Sequence, residues 1–187
     1  MAYGSAIGAS LALVFLVTGP CLATGAELSP EQGLGRYQKL VEQHPQNGSY
    51  HNALGYYHMR AGNLQEAESH FQKAIELDGR YATAHNNLGI LYLRVGRPEQ
   101  AEEQFRRAVE LNPDYSKAQY NLAVALFRQE QYAEAAKAYI RARQLDRDYV
   151  SRRDNLDKMK QALEETVKDD ESIGKVRRMK QWFAPSY

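Results

Sequence analysis

One spacing governs the middle of this chain: residues of the same kind return every 34 positions. Leu54, Leu88 and Leu122 occupy one column, Ala67, Ala101 and Ala135 a second, Phe71, Phe105 and Tyr139 a third, and Ala74, Ala108 and Ala142 a fourth. Gly55, Gly89 and Ala123 follow the first leucines, while Leu77, Leu111 and Leu145, then Tyr81, Tyr115 and Tyr149, close each period. A period of this length marks stacked supersecondary units, none of which can bury its apolar face alone.

Within 49–77, Ala53, Leu54 and Tyr57, then Ala67, Phe71 and Ala74, recur at helical spacing on either side of Gly62-Asn63. Each unit therefore reads as two amphipathic helices joined by a tight turn. Small residues where the helices cross let the backbones approach, and the aromatic fills the wedge between successive pairs. Pro98 falls in the first turn of its helix, where the missing N–H has no intrahelical acceptor to lose.

Asn87-Leu88-Gly89, Tyr92, Gly96, Ala101, Phe105, Ala108 and Pro113 fill nearly every signature position of one unit, and at these residues the chain resembles the tetratricopeptide repeat (TPR) family. The resemblance implies an all-α, right-handed solenoid of helical hairpins with about three full repeats, at 48–81, 82–115 and 116–149. Ser29-Pro30-Glu31-Gln32 reads as a capping box opening a preceding half repeat over 27–47, with Gly33, Tyr37 and Pro45 in register. Downstream, Asn155-Leu156 repeats Asn121-Leu122, but Asp157 replaces the small residue, so the charged stretch 150–168 is expected to be a cap helix. Three turns depart from the pattern. Gly79 and Arg147 stand where Pro113 ends the middle unit, and Glu130 answers Gly62 and Gly96, so a different turn is expected there.

Lys plus Arg (24) balances Asp plus Glu (23), so no whole-molecule charge points to nucleic acid. Residues 1–26 carry no charged side chain, and Ala6 to Val17 is an apolar run followed by Gly19-Pro20. That stretch is expected to be a secretory signal peptide cut after Ala23 or Ala26, giving a periplasmic or extracellular protein, although its start lacks Lys or Arg. A retained anchor is the weaker reading, because spanning length is reached only by counting Gly19, Pro20 and Gly25. Lipidation at Cys21 is disfavoured by Pro20 at the residue before it. Cleavage removes this sole cysteine, and with it any disulfide.

No catalytic residue, metal site or cofactor is expected. His51 and His85 share one repeat position and His58 follows on the face of His51, but zinc needs three or four converging ligands, and neither His51 nor His58 has an acidic residue three or four positions on. Phosphate-binding glycine loops, nucleophile elbows and haem-attachment motifs are also missing from the sequence. The expectation is a non-enzymatic protein.

In TPR proteins the first helix of each unit lines a concave groove. Carried over position by position, the resemblance assigns Asn52, Tyr56, Met59 and Arg60, then Asn86, Asn87, Ile90, Leu93 and Arg94, then Lys117, Tyr120, Asn121, Val124, Phe127 and Arg128 to a partner-binding surface. An asparagine strip would pair with an extended backbone. An apolar strip runs beside it, and Arg60, Arg94 and Arg128 would offer charged forks to carboxylates of an acidic segment. Structural readings stand beside these: a solvated helix end for the arginines, and bonds between neighbouring helices for some asparagines. The two-carboxylate clamp for acidic chaperone tails is rejected: Asn87 and Lys117 match it, but Asn52, Tyr56 and Asn121 replace its Lys, Asn and Arg.

Beyond the cap, 169–187 reads as a basic amphipathic tail. Val176, Met179 and Phe183 share a face with Trp182 at its edge, while Arg177 and Arg178 point away. Such a segment docks back on the array, on an acidic partner or on an anionic membrane. The expected function is an adaptor that binds a protein or peptide segment during assembly of a cell-envelope complex. The alternative is a structural subunit that stacks on itself through open solenoid ends.

Overall fold

The computed structural model describes residues 28–152, and every element among them is helical. The order is α1 (Pro30–Gln43), α2 (Gly48–Ala61), α3 (Leu64–Leu77), α4 (Ala82–Arg94), α5 (Pro98–Leu111), α6 (Ser116–Arg128), α7 (Tyr132–Leu145) and α8 (Arg147–Ser151). The hairpins α2/α3, α4/α5 and α6/α7 pair most extensively, and α1 packs on α2 as the second helix of an incomplete unit. α2 touches α4 and α4 touches α6, so the first helices run side by side along the array. This is the expected solenoid. The tail, the leader and the expected cap helix beyond residue 152 lie outside the described residues.

The repeat columns become the core. Ala67, Phe71 and Ala74, Ala101, Phe105 and Ala108, and Ala135, Tyr139 and Ala142 are all buried. The small residue after the leucine is required by close approach: a Cβ added at Gly89 would lie 2.6 Å from the Phe105 ring. The array begins on the capping box anticipated from Ser29, with Gln32 N–H donating to Ser29 Oγ and Ser29 N–H to Gln32 Oε1. α4 and α6 begin instead on Tyr81 and Tyr115, which make no side-chain cap bond. Both tyrosines are half-buried.

The expected difference at the third turn is corrected. Gly62 and Gly96 end α2 and the α4 turn with φ of 87° and 75°, and Glu130 adopts the same left-handed conformation at φ 64°. In each turn an N–H returns to the helix: Asn63 to His58 O, Arg97 to Tyr92 O, and Gln131 to Leu126 O. The backbone bond and the packing of the next helix hold Glu130 in a region costly for a residue with a Cβ.

Candidate protein-binding groove

The first-helix face of α2, α4 and α6 carries the candidate site, and geometry sorts its residues into three groups. The asparagines form a ladder among themselves. Asn87 Nδ2 donates to Asn52 Oδ1 and Asn121 Nδ2 to Asn86 Oδ1, each at 2.9 Å and each reaching 35 residues back to the preceding unit. Asn52, Asn86 and Asn121 are buried. Tyr81 also bonds to Asn52, and burial pushes its phenol pKa up. The strip held out to a peptide backbone is thereby corrected: these amides already spend bonds on the neighbouring helix, the outcome foreseen for only some of them.

The arginines form a second ladder. Arg94 Nη1 donates to Met59 O at 2.6 Å and Arg128 Nη1 to Leu93 O at 2.7 Å, while Arg60 Nη1 lies 3.4 Å from Leu28 O. Met59 and Leu93 are in the last turns of α2 and α4, where carbonyls lack intrahelical donors and the helix end is negative. Arg94 and Arg128 therefore each clasp the end of the preceding first helix, whereas Arg60 reaches the chain just ahead of α1. The guanidinium groups of Arg60 and Arg94 remain on exposed residues, so the clasp sits at the rim of the face.

The third group is apolar. Tyr56, Ile90, Leu93 and Val124 are half-buried against the core on α2, α4 and α6, with exposed Lys117 at the start of α6. Met59, Tyr120 and Phe127, placed in the same strip from sequence, are buried instead. Phe127 meets Tyr132 edge-on at 5.4 Å between ring centres, and Tyr120 meets Tyr149 at 5.9 Å. Their aromatic surface is consumed by packing. The tail residues Val176, Arg177, Arg178, Met179, Trp182 and Phe183 lie outside the described residues.

Two clusters escaped the sequence reading. Between the second and third units, Glu102 accepts from Arg106 Nε at 2.7 Å and Gln129 Nε2 at 2.6 Å, and Arg106 Nη2 reaches Glu134 at 2.6 Å. Tyr92 Oη donates to Glu68 Oε1 at 3.0 Å one unit earlier. In the first hairpin, His70 of α3 joins His51 and His58 of α2, with ring centres 5.4 Å and 5.3 Å away. Burial, then the neighbouring His58 and His51, lower the His70 pKa. The 34-residue columns held a signal for this: His70 pairs with His51 at the same separation of 19 as Gln104 with His85. Among the described residues no group of three or more His, Cys, Asp or Glu is arranged to hold a metal ion.

A repeating hairpin with buried alanine and aromatic columns and first helices running side by side defines a helical-repeat scaffold. Two models described as tetratricopeptide repeat match residues 45–114 and 86–149, and the chain belongs to that family. Among solved structures it is similar to the first TPR of Spaghetti (RPAP3) bound to the HSP90 peptide SRMEEVD, with 27% identity over 63% of this chain and 94% of that one and a TM-score of 0.58. It is also similar in fold to MamA, with 23% identity over 82% of this chain and 92% of that one and a TM-score of 0.60. No curated protein sequence matches it.

Proposed function

We propose that the chain is a non-enzymatic adaptor that holds an extended segment of a partner protein along α2, α4 and α6 during assembly of a cell-envelope complex. The observation that carries this is the half-buried strip of Tyr56, Ile90, Leu93 and Val124, apolar surface that three successive first helices leave at one face. Arg60, Arg94, Arg128 and Lys117 border it and favour acidic residues in the bound segment. The peptide-bound TPR similar to this chain supports binding of a segment at a TPR surface. The chaperone-tail clamp is not carried over, because Asn52 and Asn121 are committed to the amide ladder. The envelope setting rests on the apolar, charge-free run in 1–26.

A photo-crosslinking residue at Ile90 tests the face against one at Ile140, which is exposed on α7. In cells, the Ile90 probe is expected to give a discrete adduct with an envelope protein that the Ile140 probe does not. Equal adducts from both positions overturn the assignment. A mass that grows with concentration in light scattering, with no adduct at Ile90, supports the self-stacking subunit instead.

A further inference from the structure

The histidines of the first hairpin are arranged unlike those of the others. His51 is buried on α2, and its Nε2 lies 3.0 Å from Pro45 O. A carbonyl only accepts, so this nitrogen carries the proton and donates it. His51 Nδ1 therefore keeps a lone pair, and His70 Nδ1, 3.2 Å away on α3, is the N–H that donates to it. One carbonyl thus sets both tautomers. His58 lies against the same His70 ring, stacked at an interplanar angle of 15° with ring centres 5.3 Å apart.

We propose that these three imidazoles make the first hairpin an acid-operated joint, which loosens α2 from α3 as the pH falls while the second and third hairpins stay closed. A first added proton enters at His70 Nε2 and leaves the bond to His51 intact. A second must go to His51 Nδ1; both facing nitrogens then carry N–H groups, neither accepts, and two cations meet across 3.2 Å. Charging His58 sets a further cation on the stacked ring. Charged groups on the surrounding elements are engaged elsewhere or lie in solvent. On α3, Glu66 and Lys73 are exposed, and Glu68 is taken by Tyr92 and Arg97. On α1, Arg36 lies over Tyr37, Glu42 accepts from Gln38 and Lys39 is exposed; ahead of α2, His44 tilts against Tyr50. On α4, His85 meets Gln104 and Arg94 holds the Met59 carbonyl. Burial, then the neighbouring His58 and His51, keep His70 below the ordinary histidine value. The unfolded hairpin therefore binds more protons than the folded one. Stability from the cluster is complete above about pH 7.5 and is lost as the pH falls through about 6.5 toward the lowered folded value. Because α2 carries Tyr56 and Arg60, the joint governs whether the first third of the first-helix face is formed.

The second hairpin is a built-in comparison. There His85 Nδ1 meets the Gln104 amide at 2.8 Å and His85 Nε2 faces Gly79 O at 3.4 Å, the same frame with an amide in place of the second imidazole. An amide turns its nitrogen to a neutral ring and its oxygen to a charged one, so this pair survives protonation. In the third hairpin the two positions are Gln119 and Ala138, and neither titrates. Only the first hairpin pairs two imidazoles.

Amide hydrogen exchange of the full chain at pH 7.5 and pH 5.5, corrected for the intrinsic exchange rate, locates the opening. Between these values α2 and α3 are expected to lose protection by about tenfold or more relative to α6 and α7, since each extra proton bound on opening is worth about tenfold per pH unit. His70→Gln, which copies the second hairpin, is expected to remove that acid-dependent loss, and His85→Gln to leave it in place. Imidazole 15N spectra of the unmodified chain give a second readout: the His51–His70 pair should take up its two protons in steps more than about one pH unit apart. Equal protection of α2 and α3 at both pH values, the same acid opening in His70→Gln, or uptake of both protons in one step overturns the proposal.

Discussion

At the scale of single residues, the asparagines show how a polar side chain in a helix centre can be a structural part. Asparagine has modest helix propensity, and its presence at Asn86 and Asn121 is explained by a bond that neither helix could make alone. Asn121→Ala leaves the buried Asn86 Oδ1 without its donor and is expected to cost about 1–3 kcal/mol. Denaturant unfolding of Asn86→Ala, Asn121→Ala and the double variant checks this: the double should cost less than the sum of the singles. Additive costs would mean that the amides act independently. Glu130 is the converse case, a residue whose backbone would suit glycine. Glu130→Gly is expected to stabilise the chain by about 0.5–1 kcal/mol by relieving the left-handed strain. A lower urea midpoint for this variant would show that the Glu130 side chain contributes more than its backbone costs.

At the scale of the helix pair, stability depends on alanines that leave no room. Ala101 is completely buried where α4 and α5 cross. Ala101→Leu is expected to cost about 1–3 kcal/mol by overpacking, read as a fall in the urea midpoint with an unchanged slope. Ala133, an exposed neighbour of the same type on α7, should accept leucine with little change. This level was the most legible in the sequence. Buried crossings impose the same small and aromatic residues in every unit, so Ala67, Phe71 and Ala74 and their counterparts announce themselves by repetition. The groove was less legible. A column shows that Asn, Arg or Phe recurs on a helix, but not whether its atoms turn toward solvent or toward the adjoining unit. For Arg94 the deciding contact is the Met59 carbonyl, which has no side-chain signature at all. The Glu130 turn misled for a related reason: the return bond from Gln131 to Leu126 is made by backbone alone.

At the scale of the molecule, the array is a line of interfaces between neighbours, and its stability is set by how units join as much as by what each contains. Both junctions between full units are joined on one side by amide and guanidinium bonds and on the other by carboxylate contacts, Glu68 with Tyr92 at the first and Glu102 with Gln129 at the second. The amide ladder also has a direction. Its unit-one rung supplies only an acceptor, Asn52, beside Ala53; its unit-three rung supplies only a donor, Asn121, beside Tyr120. The middle unit alone has both, in Asn86 and Asn87. In the grammar of a polymer, the outer units are chain terminators and residues 82–115 are the monomer. A second copy of 82–115 inserted after Tyr115 should therefore extend the solenoid with one added rung and raise the melting temperature, whereas a second copy of 48–81 inserted after Tyr81 should leave a rung without its donor and gain less.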